Sequence, residues 1–145
     1  MKNRMFLGLG LAFLAVAAVV AAEGVKLEGV KCIMAASKDA KEANAVEYRG
    51  AKVFFCCQNC PKAFSKDVAK HAAKANHQLV ATNQAKQIAC PLSGKDLNPD
   101  TKVTVNGVDV TFCCNNCKGA VEGSKDQLEM AFGDKAFDKG FKVTK

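Results

Sequence analysis

The twelve residues Val53 to Phe64, VFFCCQNCPKAF, return 57 residues later as VTFCCNNCKGAV, Val110 to Val121. Six of the eight cysteines sit in these two copies, and the other two, Cys32 and Cys90, each lead one copy. The spacing is C-x23-C from Cys32 to Cys56 and C-x22-C from Cys90 to Cys113, so one inserted residue separates the halves. A duplication is the economical explanation. Units of roughly 50 to 60 residues bury too little apolar surface for a generous core and usually need a staple. The cysteines, four per unit, are the obvious one.

The local patterns repeat as well. In the second copy Val103, Thr104 and Val105 alternate up to Asn106-Gly107, and Val108, Val110 and Phe112 resume the alternation, which predicts a β-hairpin. The first copy predicts the same hairpin through Val46-Glu47-Tyr48, Arg49-Gly50 and Val53-Phe54-Phe55. After each cluster the pattern turns helical. Asn59 or Cys60 can cap, Pro61 suits the first turn, and Ala63, Phe64, Val68, Ala69, Ala72 and Ala73 predict one apolar face. The second helix is expected from about Asn116 to Met130, with Gly119 and Gly123 weakening it. Short strands are expected at QLVAT (78–82) and QLEMAF (127–132), and Phe137, Phe141 and Val143 are expected to return to the core.

One cysteine before a hairpin and more where the hairpin feeds a helix is the ordering of a treble clef. The C-x3-C spacing of Cys56 with Cys60, and of Cys113 with Cys117, lets two thiolates reach one tetrahedral ion, and a helix N-terminus favours the thiolate. The expected ligand sets are Cys32, Cys56 and Cys60, and Cys90, Cys113 and Cys117. Carrying the strand alternation forward puts Cys57 and Cys114 on the apolar face. They are either fourth ligands or small buried hydrophobes.

The elements CPLSGK, a hairpin and FCCNNC resemble the TRASH and YHS group of treble-clef modules, which are associated with trafficking, resistance to and sensing of heavy metals. The resemblance covers residues 30–67 and 88–124. It departs from the closed four-cysteine knuckle of related zinc ribbons, because Ser93 stands at the second thiol position and Ala35 at the matching place in the first copy. Three thiolates with an open position suit exchange of copper(I), or zinc completed by water or the extra cysteine. Met34 beside Cys32 is read as packing.

The N-terminus, with Lys2 and Arg4 before an uncharged run from Met5 to Ala22, reads as a secretory signal peptide, the alternative being an uncleaved anchor. Without those residues 19 basic side chains face 14 acidic ones, a net charge near +5. The lysines are scattered and lack aromatic interleaving, which argues against a nucleic-acid partner. An exported chain meets an oxidising compartment, so a disulfide-stapled interaction module, with bridges such as Cys32 to Cys60 and Cys90 to Cys117, is the rival reading. A thiol oxidoreductase using Cys57 with Cys60 or Cys114 with Cys117 lacks the βαβ setting of such sites. His71 and His77 have no counterparts in the second copy and are read as surface residues. No other catalytic constellation is present, and the chain is read as no enzyme.

The sequence therefore predicts an α+β fold: a signal peptide (1–22) and two small treble-clef-like modules, 23–78 and 79–145, the latter with a C-terminal extension. The expected function is capture of soft or transition-metal ions outside the cytoplasm, in the periplasm or after secretion. Zinc or copper(I) is the expected ion, a metal-transporting or metal-accepting protein the expected partner, and no stable membrane association follows signal cleavage.

Overall fold

The computed structural model describes residues 25–144, so the signal-peptide reading lies outside the described residues. The fold is mixed α and β, with four two-stranded antiparallel sheets and five helices among the described residues. The first half opens with β1 (Lys31–Cys32) turning into β2 (Ala35–Asp39), then the hairpin β3 (Lys41–Tyr48) and β4 (Ala51–Phe55), then α1 (Asn59–Lys66) and α2 (Val68–Ala81). After β5 (Ala85–Gln87), the second half carries a 3-10 turn (Pro99–Thr101), the hairpin β6 (Lys102–Val105) and β7 (Val108–Thr111), then α3 (Asn115–Glu122), α4 (Gln127–Phe132) and α5 (Asp134–Gly140), and ends on β8 (Phe141–Val143). Among the described residues no helix is long and apolar enough to cross a membrane.

Both hairpins turn where the sequence places them. Arg49 and Gly50 (φ 53° and 78°) and Asn106 and Gly107 (φ 47° and 84°) supply two consecutive left-handed residues, which a two-residue turn matched to strand twist requires. The alternation then buries Val53 and Phe55 in one half and Val110 and Phe112 in the other.

The helices differ from expectation in three places. The first helix is broken: Asp67 leaves the helical region (φ −150°, ψ 70°) and its carboxylate accepts from the Lys70 N–H, ending α1 and capping α2. Of the predicted face, Phe64, Ala72 and Ala73 are buried, while Ala63, Val68 and Ala69 are exposed. The second helix breaks at the same tripeptide, Ser124-Lys125-Asp126, where Asp126 accepts from the Glu129 N–H. QLVAT and QLEMAF are therefore not strands: the first is the end of α2 with its cap Thr82, and the second is all of α4. The residues that do form strands lie further along, β5 shortly after Thr82 and β8 after α5. Phe137 and Phe141 are buried and Val143 is half-buried against them, as expected.

The halves do not bury separate cores. Phe55 and Phe64 from the first belong to one apolar cluster with Phe112, Phe132, Phe137 and Phe141 from the second, and position 78, where the sequence divides the modules, lies inside α2. β5 pairs with β8 in a register centred on Lys86 opposite Lys142, each the middle residue of its strand, the self-complementary arrangement of a two-fold pair. Sharing one core is how two units of this size bury enough apolar surface.

Side-chain amides complete the edges of the hairpins. Gln78 accepts from the Phe54 N–H (2.7 Å) and donates to the Phe54 and Lys31 carbonyls (2.9 and 3.0 Å). Two residues along the same edge, Gln84 makes the same pair with the Lys52 N–H (2.8 Å) and C=O (2.7 Å). In the second half Gln87 pairs with the Thr111 peptide, and Thr101 Oγ1 donates to the Phe112 carbonyl. Each side chain thus stands in for a missing third strand, and at the buried Phe54 and Phe112 it satisfies peptide groups that would otherwise be orphaned. Gln78 ties β1 to β4, the strands that carry Cys32 and lead to Cys56.

Candidate metal centres

Each half brings three sulfurs together: Cys32, Cys56 and Cys60 in one, Cys90, Cys113 and Cys117 in the other, with all sulfurs of a set within 4.8 Å of one another. The leading cysteine stands immediately before a tight turn, the second comes from the residues just beyond the hairpin, and the third from the first turn of α1 or α3. Cys56 and Cys60, like Cys113 and Cys117, have sulfurs 3.7 Å apart. A tetrahedral ion with thiolates at about 2.3 Å has sulfur-to-sulfur edges of about 3.8 Å. All eight cysteines are free thiols, and the two leading ones are fully buried.

The backbone prepares the leading sulfurs for negative charge. Burial pushes the Cys32 thiol up, but the N–H groups of Cys56, Met34 and Ala35 outweigh it and hold the thiol below its ordinary value. Cys90 repeats the arrangement. Burial again raises it, while the Ser93 hydroxyl and the N–H groups of Ser93, Cys113 and Leu92 bring it down to about 7. Two unrelated turn sequences, CIMA and CPLS, thus make the same nest of amides around a sulfur. Cys60 and Cys117 behave oppositely and are pushed up to about 12, by desolvation first and then by the neighbouring sulfurs, Cys57, Cys56 and Cys32 around the one and Cys113, Cys114 and Cys90 around the other. Crowded thiols that resist losing their last protons are what a cation relieves, since metal and proton compete for the same sulfurs.

The second member of each doublet lies outside the three-sulfur set but touches it. Cys57 Sγ is 3.5 Å from Cys60 Sγ, and Cys114 Sγ is 3.7 Å from Cys113 Sγ. Neither is a buried hydrophobe: Cys57 is exposed and Cys114 half-buried. The alternation that would bury them stops because β4 ends at Phe55 and β7 at Thr111. Both sit instead at helix starts. The N–H groups of Asn59 and Cys60, with the Cys60 thiol, lower Cys57 to about 7. The Cys117 N–H, the Cys113 thiol and the Asn116 N–H lower Cys114, the N-cap of α3.

The other candidates fall elsewhere. Met34 packs against the core. His71 and His77 are half-buried rather than on the surface. His71 lies beside Phe64, with ring centroids 6.5 Å apart. His77 stands edge-on to Phe132, its Nε2 3.2 Å from the Val105 carbonyl, and desolvation lowers its pKa. It joins the two halves rather than either sulfur set.

In the sequence Ser93 reads only as a missing thiol. Its Oγ lies 3.2 Å from Cys113 Sγ, a contact in which either atom can donate and the hydroxyl must donate once the sulfur is a thiolate, and it accepts from the Lys95 N–H. The Gly94 that follows it (φ +72°) was the readable sign that this turn bends back on its cysteine. Gln78 had no readable sign. Compared with known proteins, the chain matches no family model, no curated protein and no solved structure.

Proposed function

We propose that this is an exported metal-binding protein that captures one soft or transition-metal ion in each half, for trafficking, buffering or detoxification. The observation that carries the reading is the recurrence of the same three-sulfur geometry in both halves, on turns of different sequence. The ordering of turn, hairpin and helix, and the resemblance to TRASH and YHS modules, support the same conclusion. An all-thiolate donor set suits zinc or copper(I) over the hard ions that prefer oxygen. A partner that supplies or accepts the ion follows from the trafficking role.

Thiol counting separates this from a disulfide-stapled module. Alkylation of native protein and mass spectrometry, with and without chelator, is expected to find thiols that are protected until the metal is stripped and then react without reductant. Cysteines that stay blocked after chelation and react only after reduction would overturn the reading.

A further inference from the structure

The two sulfur sets differ in their leading turns and in their doublets. In the second half, the Ser93 hydroxyl rests on Cys113 Sγ at 3.2 Å while the Lys95 N–H fixes its oxygen. The Cys90 turn is closed further by the Gly94 N–H on the Cys90 carbonyl (2.7 Å) and the Cys90 N–H on the Lys95 carbonyl (2.9 Å). In the first half the matching residue is Ala35, whose methyl donates nothing, and Cys32 lies directly opposite Ala35 in the β1–β2 pairing. The doublets differ in the same direction. Cys57 is exposed at the edge of the first set, whereas Cys114 is half-buried.

We propose that the halves divide the work: the first is the exchanging site, which surrenders its ion to a thiolate-bearing acceptor arriving at Cys57, and the second is the holding site, made slow by Ser93. This rests on the metal-binding reading above and specifies how the two sites are used. An outer hydroxyl that donates to a ligating sulfur fixes its orientation, and loss of such a partner typically weakens a metal site roughly 10–100-fold. An exposed sulfur at the rim can take the ion in place of a departing first-half cysteine and hold it where an incoming thiolate can bond to it. In the exchange the acceptor's thiolate takes the coordination bond that a first-half cysteine gives up, and the freed sulfur takes the proton that the acceptor lost. Nothing is oxidised or reduced.

The test uses the full reduced chain loaded with cadmium, whose thiolate bonds give an ultraviolet charge-transfer band, mixed rapidly with excess dithiothreitol as the dithiol acceptor. Two phases of equal amplitude are expected. Ser93→Ala should accelerate the slow phase alone, roughly 10–100-fold, and Ala35→Ser should slow the fast phase alone. Cys57→Ser should slow the fast phase, while Cys114→Ser leaves it unchanged. Release of both ions in one phase, or a Ser93→Ala effect on the fast phase or on neither, would overturn the division of labour. Failure of the chain to bind two cadmium ions at the outset would instead sink the metal-binding reading on which it rests.

Discussion

Replacing Gln78 with leucine removes the amide that pairs with the Phe54 peptide and the Lys31 carbonyl. Phe54 is 1% exposed and Gln78 2%, so water cannot take the place of the lost partners at the Phe54 N–H and C=O. Each orphaned buried group costs about 1–3 kcal/mol, or about 2–6 kcal/mol for the two. Leucine of similar volume offsets about 2 kcal/mol of that by its own burial. The net loss centres on about 2 kcal/mol, roughly a 30-fold rise in the unfolding constant. Gln84→Leu is the internal control, because it removes the same pair of hydrogen bonds from Lys52 on the same strand edge. Lys52 is exposed, so water replaces the amide and the change should stay within about 0.5 kcal/mol. Chemical denaturation of the reduced, metal-free variants, followed by circular dichroism, measures both. Gln78→Leu should also weaken the first metal site, since β1 and β4 lose the tie that keeps Cys32 over Cys56. Equal losses at the two positions, or a larger one at Gln84, would refute the idea that glutamine side chains act here as a buried third strand.

Serine at Cys32, Cys56 or Cys60 should lower the bound metal from two ions to one and leave the other half loaded, with Cys90, Cys113 and Cys117 doing the converse; native mass spectrometry reads the count. A Cβ on Gly140 would lie 2.7 Å from Pro91 Cα. Gly140→Ala should therefore displace the Cys90 turn, cost about 1–3 kcal/mol by overpacking and weaken the second site only, measured by denaturation and metal titration. The pH dependence of the metal-free protein has two opposed arms. Cys57 and Cys90, lowered to about 7 from 9.0, contribute stability that is complete above pH 9 and fades as pH falls through 7. Cys60 and Cys117, raised from 9.0 to about 12, hold protons in the fold that the unfolded chain has lost, so stability falls as pH rises from 9 to 12. The thiol contribution should peak near pH 9, and thiolate absorbance should rise in separate stages rather than one.

The parts of this fold that depend on near neighbours are visible in the chain. Asn106-Gly107 and Arg49-Gly50 announce their turns because few residues tolerate two left-handed conformations in a row. The sulfur sets follow from spacing on either side of those hairpins. The end of α2 imitates a strand in the sequence because Leu79 and Val80 resemble one, although Ala72, Ala75, Asn76 and Leu79 repeat at helical spacing. There the buried face includes polar Asn76, whose amide donates to the Phe132 carbonyl across the joint between the halves. A buried polar residue hides the period. For α4 the chain carries a signal of its own: Asp126 with Glu129 is a capping pattern before an apolar run. Gln78, Gln84 and Gln87 were not legible at all, since an amide that imitates a strand is recognised only once the strand is beside it. The merged core was hidden for the same reason.

The most direct measurement is elemental analysis of protein purified from its own compartment, paired with thermal unfolding in a chelator. The account predicts two zinc or copper ions per chain and a large drop in melting temperature when they are stripped. Protein that carries no metal, and melts unchanged in chelator, would contradict it.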